Sequence, residues 1–350
     1  MSNPQQSALH PAGPDAEVIA QLAWVLTGGA TVALIGVMVL CVMGLRGRRV
    51  VHPRWWLWGG GVVLPVLVLS SLLAFSTWRS AQLSMPSSQH AVKIAVVARL
   101  WWWEVRYTDP AGGPDIVLAN EIRLPVGQPV YLGLSSADVI HSFWVPALAG
   151  KVDMVPGRLH GMTLQADRAG VYRAQCAEYC GEQHARMALH VVAQSPDEFR
   201  AWLAQQAAPA RTAGLTGQVA AGQRAFAQQR CGACHTVRSV SDTAQATGAA
   251  SGISVTGVTG DTGGIRGASG TSGTLDTDRT VVGEGGLGPD LTHIGSRLYL
   301  GAGTVRNGRG ALAAWIANPH SVKPGVRMPA SADMDQDTLQ ALAAYLEQLK

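Results

Sequence analysis

The stretch Cys176-Ala-Glu-Tyr-Cys180-Gly-Glu-Gln-His184-Ala-Arg-Met187 places two thiols, an imidazole and a thioether within a short run of chain. Sulfur and imidazole donors together favour copper, and a thioether is a poor ligand for zinc. A blue-copper site needs one cysteine. A second thiolate lets both sulfurs bridge a pair of copper ions and spread one electron over both, so that reduction changes the geometry little and transfer is fast. The same residues also permit a Cys176–Cys180 disulfide beside structural histidines. His141 lies on an earlier predicted strand and by itself carries little weight.

Outward from this stretch, residues 90–195 alternate strand-like and turn-like segments. KIAVV, WWWEVRY, IVLANEIRLPVGQPVYLGL and GVYRAQC are rich in β-branched and aromatic residues, with Gly and Pro between them. The pattern predicts an all-β domain, a small antiparallel sandwich or barrel. Ser195-Pro196-Asp197-Glu198 then reads as a helix start, with Ser195 as cap and Glu198 closing a capping box. The helix and a linker fill 196–217.

The other cysteine pair lies further on, in Cys231-Gly-Ala-Cys234-His235. This is the attachment signature of haem c: both thiols add to the vinyl groups and the adjacent histidine supplies an axial nitrogen. A thioredoxin-like pair fits poorly, because no βαβ pattern surrounds it. Residues 218–350 are expected to form an all-α domain interrupted at 239–286, where 12 Gly, 6 Ser and 9 Thr occur and no aromatic residue does. Such a segment cannot bury a core of its own, and a compact domain can carry it as a surface loop. Leu339, Leu342, Leu346 and Leu349 share one face of the last predicted helix, as core packing requires.

Upstream, 28 uncharged residues separate Glu17 from Arg46 and 24 separate Arg54 from Arg79. At about 1.5 Å per residue the shorter run reaches about 36 Å as a helix, enough to cross a hydrocarbon core of about 30 Å. Transmembrane helices are therefore predicted at 18–45 and 55–79. Arg46, Arg48, Arg49 and Arg54 crowd the connection at 46–54, whereas residues 1–17 contain Asp15 and Glu17 but neither Lys nor Arg. The positive-inside rule puts the connection in the cytoplasm, and the N-terminal tail and everything after Arg79 on the outer face. Cys41, within the first span, reads as a small buried hydrophobe. The net charge of +4 is too slight to argue for a nucleic-acid partner.

The run Ser136-Ala-Asp-Val-Ile-His141-Ser-Phe-Trp-Val-Pro146, followed by Lys151-Val-Asp-Met-Val-Pro-Gly157 and by Cys176 to Met187, resembles subunit II of haem–copper cytochrome c oxidases. The resemblance covers about 8–195 and implies a cupredoxin-like domain behind a two-helix hairpin. It implies a binuclear copper centre bridged by Cys176 and Cys180, with His141, His184, Met187 and the Glu178 carbonyl as further ligands. It also implies a magnesium ion reached by the Glu178 side chain at the border with subunit I, and electron input through Trp101. One departure stands out: many relatives carry a Glu seven residues before the proline of the second span, and here Trp58 occupies that position relative to Pro65. Proton uptake is therefore not assigned to this chain. The helix before Cys231, Gly288-Pro289-Asp290-Leu291 and Met328-Pro329 resemble class I cytochrome c, which implies Met328 as the sixth iron ligand ahead of Met334, His293 and His320. A thioether raises the haem potential relative to a second imidazole.

Neither constellation contains an acid–base or nucleophile set, so transfer of electrons is the expected function. The resemblance implies a fused subunit II of a caa-type oxidase in a bacterial inner membrane, with both cofactor domains periplasmic. Its expected partners are subunit I, subunit III, membrane lipid and a periplasmic cytochrome c or other donor; oxygen would be reduced in subunit I. The alternative is a membrane-anchored copper-binding or assembly protein, against which the covalent haem motif argues.

Overall fold

The computed structural model describes residues 5–47, 52–83, 92–109, 112–238 and 287–350. The insertion expected at 239–286, and Arg48 and Arg49 of the basic connection, lie outside the described residues. The chain forms two compact units, Met1–Ala207 with Arg297–Ala332, and Ala208–Ser296 with Asp333–Lys350. Arg297–Ala332, which the sequence groups with the haem motif, thus clusters with the β-domain.

The first unit begins with α1 (Pro14–Arg46) and α2 (Trp55–Ser80), both long and apolar enough to cross a membrane. Pro14 opens α1 in the first turn, where its missing N–H costs nothing, with Asp15 and Glu17 beside it and Arg46 at the other end, as the helix dipole favours. The first part of α2, Trp55–Val63, is π-helical. Pro65 follows it and lacks the N–H that an α-helix would give to Gly61, while three glycines offer little resistance to widening. Cys41 is exposed on α1 rather than buried in protein, so its expected burial would have to come from lipid or another subunit. The N-terminal segment is stitched to the β-domain: Gln5 N donates to Val171 O at 2.8 Å and Ala12 N to Ala147 O at 2.7 Å. The tail before α1 therefore lies on the same side as the domain after α2, as a two-pass hairpin requires.

Among the described residues ten strands build the sandwich: β1 (Lys93–Arg99), β2 (Trp102–Tyr107), β3 (Ile116–Ala119), β4 (Glu121–Pro125), β5 (Val130–Ser136), β6 (His141–Trp144), β7 (Val152–Met154), β8 (His160–Leu164), β9 (Gly170–Cys176) and β10 (Ala188–Gln194). One sheet runs β3-β2-β1-β5-β8 and the other β4-β10-β9-β6-β7. The expectation of a purely antiparallel sandwich is corrected, because β1 pairs parallel with β5 and β10 parallel with β4. Each parallel pair is joined by intervening strands, which supply the long crossover that parallel neighbours need.

Trp103, Tyr107, Phe143 and Tyr172 are all buried in the core. The Tyr107 hydroxyl accepts from Arg123 N and donates to Arg123 O, which satisfies its polar end. Trp202 of α3 (Pro196–Ala207) meets the Tyr107 ring edge-on at 5.4 Å and closes that end of the core. The predicted capping box starts α3: Glu198 N donates to Ser195 Oγ, and Ser195 N donates back to Glu198 Oε2 at 3.0 Å. The same unit includes the short hairpin β11 (Tyr299–Leu300) and β12 (Val305–Arg306), and α5 (Arg309–Ala317).

The second unit is built on α4 (Gly217–Gln228) against α6 (Gln336–Gln348). A Cβ at Gly222 would run into the Ala341 carbonyl, so glycine is what lets the two backbones touch. Leu339, Leu342, Leu346 and Leu349 are all buried, as their spacing predicts.

Candidate metal centre and haem site

Register brings the first cluster together. In the second sheet β6 and β9 are antiparallel neighbours with Phe143 opposite Cys176, and Ala177 N donates to Ser142 O at 2.9 Å. His141 lies two residues before Phe143 and so faces the same side of the sheet. It thereby meets the loop that leaves β9 at Cys176 and re-enters the sheet at Ala188. Ligand atoms of His141, Cys176 and Cys180 all lie within 4.8 Å of one another, and all three residues are buried. The two Sγ atoms are 3.7 Å apart and unbonded. His184 Nδ1 and Met187 Sδ stand 3.7 and 3.8 Å from Cys180 Sγ, and the Glu178 carbonyl oxygen is 3.1 Å from Cys176 Sγ. Every copper candidate predicted from the sequence therefore sits in one cluster.

The surroundings orient the donors. His141 turns Nδ1 toward Cys176 and anchors Nε2 on Asp138 Oδ1 at 2.7 Å, and the Asp138 carboxylate also accepts from Leu100 N at 2.8 Å. A carboxylate on the outer ring nitrogen is the usual way a metal-binding histidine is held in place. Burial works against an imidazolium at His141, but Asp138 and Cys176 outweigh it and raise the pKa. Cys180 beside Cys176 stabilises a thiolate there and holds the Cys176 pKa far below the ordinary thiol range, with that of Cys180 correspondingly pushed up. The pair thus gives up one proton more readily than an isolated thiol, and a metal cation would be needed to draw off the second.

Trp101 stands beside the loop, its indole N–H donating to Cys180 O at 2.8 Å. Gly181, at φ 110°, passes under the indole ring, where a Cβ would press within 3.2 Å of it. That position requires glycine both for its backbone and for its space.

In the second unit Cys231 and Cys234 flank one short helical turn, and both are half-buried. His235 Nδ1 is 2.8 Å from Pro289 O, a contact that suits a donating Nδ1–H and leaves Nε2 as the lone-pair nitrogen for iron. A Cβ at Gly288 would strike the His235 ring, so the Gly288-Pro289 segment packs directly on it. These residues fit a covalently held haem. Met328 is half-buried and belongs to the first unit, so the structure does not gather the expected axial pair within one unit. Of the competing ligands, His293 is buried with Nε2 at 2.9 Å from Ala208 O, and His320 is exposed.

A family model for the periplasmic domain of cytochrome c oxidase subunit II matches residues 115–194, and one for cytochrome c matches residues 219–350. Over these two stretches the chain is similar, in turn, to cytochrome c oxidase subunit II and to cytochrome c. It is 32% identical over 263 residues to cytochrome c oxidase subunit 2 of Alkalihalophilus pseudofirmus, across 75% of this chain and 62% of that relative, which is less than two thirds of its length. It is 27% identical to the subunit 2 of Bacillus subtilis, across 87% of this chain and 76% of the other. The periplasmic domain of subunit II of Bradyrhizobium japonicum, a solved structure, is 27% identical, with a TM-score of 0.33 over 35% of this chain and 97% of that one.

The cytochrome c match supports haem c in the C-terminal part of the chain, and the His/Cys/Met group is of the binuclear-copper type. The apolar helices and the match to a periplasmic domain indicate membrane anchoring. Sequence reasoning missed three residues around the copper group. Asp138 precedes His141 by three residues, a spacing that could have flagged it as an orienting carboxylate. Gln183 and Lys323, both buried, carried no local signal.

Proposed function

We propose that this chain is the electron-input subunit of a caa-type cytochrome c oxidase, passing electrons from a periplasmic cytochrome c or other donor toward subunit I. The observation that carries the reading is the buried group of His141, Cys176 and Cys180, with His184 and Met187 beside it and the two sulfurs unbonded. His141, Cys176, Cys180, His184, Met187 and the Glu178 carbonyl would hold two copper ions. Cys231 and Cys234 would hold haem c covalently, with His235 and Met328 on the iron. When bound, these groups supply one-electron couples that need no bond-making. The chain's own residues keep the donors buried and fixed: the sandwich excludes water, Asp138 sets the His141 ring and Pro289 sets that of His235.

The proposal extends to the surroundings. Glu178 would turn its carboxylate to a magnesium ion at the border with subunit I, Trp101 would be the point of electron input, and subunit III would complete the assembly. Oxygen reduction and proton pumping would lie in subunit I, with the copper and haem domains on the periplasmic side of a bacterial inner membrane. Metal and haem assays with electron paramagnetic resonance on the purified, matured chain test this. The expected result is two copper ions sharing one unpaired electron and one covalent haem. Cys180→Ser abolishes the shared signal and leaves the haem; a copper content of one or zero in the unaltered chain would overturn the reading.

A further inference from the structure

Lys323 is 2% exposed, in a residue type that is seldom buried without a partner. Its Nζ donates to Trp101 O at 2.6 Å, and Trp101 in turn donates its indole N–H to Cys180 O at 2.8 Å. Two consecutive hydrogen bonds therefore join residue 323 to a copper-bridging candidate. The flanking residues are held as well. Arg186 Nη1 donates to Val322 O at 2.7 Å, and the Gln183 side-chain amide donates to Pro324 O. Gln183 and Arg186 stand on either side of His184, so two direct hydrogen bonds tie Val322 and Pro324 to the ligand loop, and Lys323 reaches it through Trp101. Gly325, at φ 78°, then turns the chain beneath the Glu182 carboxylate. A separate anchor lies upstream, where Tyr299 stacks on His190 at 3.9 Å and Leu298 N donates to Glu121 Oε2 at 2.8 Å.

We propose that residues 322–325 form a strap that fixes the Met328-bearing segment to the copper ligand loop, with Lys323 as its positioning residue acting through Trp101. A flexible tether alone would raise only the effective concentration of one site near the other. The strap adds a fixed contact, so the path from Met328 to Cys180 runs through residues of one chain whose geometry does not depend on encounter. With haem and copper bound, the strap would hold their ligand segments fixed for a one-electron exchange in which one is oxidised as the other is reduced, and no proton or bond would change place. The inference rests on the copper and haem reading above.

The test uses the full chain with Lys323→Met, which keeps the apolar stem, and Lys323→Arg, which keeps a cationic donor. Amide hydrogen exchange before copper loading is expected to quicken about tenfold in both 180–187 and 322–326 for the Met variant, the effect of losing one buried hydrogen bond. After loading, flash reduction of the haem is expected to give internal electron redistribution slowed by about tenfold, with the copper resonance unchanged and the Arg variant close to wild type. Arg186→Leu, at an exposed position, provides a second variant with a smaller change in the same direction. Exchange and redistribution unchanged in both Lys323→Met and Arg186→Leu would overturn the strap. A wild-type chain without the shared copper signal would instead sink the copper reading, while exchange would still decide whether the strap exists.

Discussion

The copper loop and the haem segment each carry a pair of cysteines beside a histidine, yet the fold treats them differently. His141, Cys176, Cys180 and Met187 are all buried, and hydrogen-bonded strands on both sides fix their spacing. Cys231 and Cys234 are half-buried on a single helical turn, between α4 and a segment that packs on His235. Strand register and hydrogen bonds fix the donors of the first site, whereas the cysteines of the second stand on a short turn with fewer such ties. Such preorganisation would limit rearrangement at the first site, and a covalently held group would contribute to folding at the second.

The largest expected effect follows from that difference. Cys234→Ser should prevent stable haem attachment and leave the second unit without cooperative melting, while the sandwich melts as in the wild type and still gathers copper. Calorimetry and visible spectra on the variant check this. A second unit that melts normally without haem would show that its helices need no cofactor, and the contrast between the two regions would disappear.

A smaller effect concerns acid. His190 in β10 is 2% exposed, its Nδ1 has no hydrogen-bond partner among the described residues, and its ring stacks on Tyr299. Burial, followed by the charge of Arg173, pushes its pKa down to about 4 from 6.5. Because the folded value lies below the unfolded one, the unfolded chain binds the proton first as pH falls. Stability is full above pH 6.5 and is lost progressively toward pH 4, by about 3 kcal/mol for this group alone. His190→Phe should remove that share of the acid loss. Denaturation curves at pH 7 and pH 4 measure it; an equal loss in both proteins would mean that His190 is not held neutral. His293 in the second unit is also shifted down by burial, but the Ala208 and Lys350 carbonyls oppose the shift, so acid should weaken the first unit more through its histidine.

What could be read from the chain follows the range of the interactions involved. The two spans, the capping box at Ser195 and the leucine face of the last helix are local patterns, and the structure has all of them. The ligand loop was legible because its donors fall within one turn-rich stretch, and His141 only because of the motif around it. Strands β7, β8 and β10 were not singled out, since they are short or lack a run of β-branched residues. The parallel pairings depend on which sheet a strand joins after a crossover, and no local pattern encodes that choice. Lys323 was invisible for the same reason: it lies 222 residues from the carbonyl it meets.

Asp138 provides the finest test of preorganisation, because it alters the copper site without removing a ligand. Asp138→Asn keeps the side-chain volume and one acceptor oxygen, yet loses the negative charge that outweighs burial at His141. Loss of an orienting partner of this kind lowers metal affinity about 10- to 100-fold, or roughly 1.4–2.8 kcal/mol. Copper titration against a competing chelator should find that weakening, with the shared resonance kept at saturation and the haem spectrum untouched. If affinity were unchanged, the position of His141 would be set by the β6–β9 register and the packing of Trp103, whose ring lies 6.3 Å away, and not by the carboxylate. The copper region would then owe its order to strand pairing alone, and its difference from the haem segment would lie in the sheet rather than in the hydrogen bonds around the ligands.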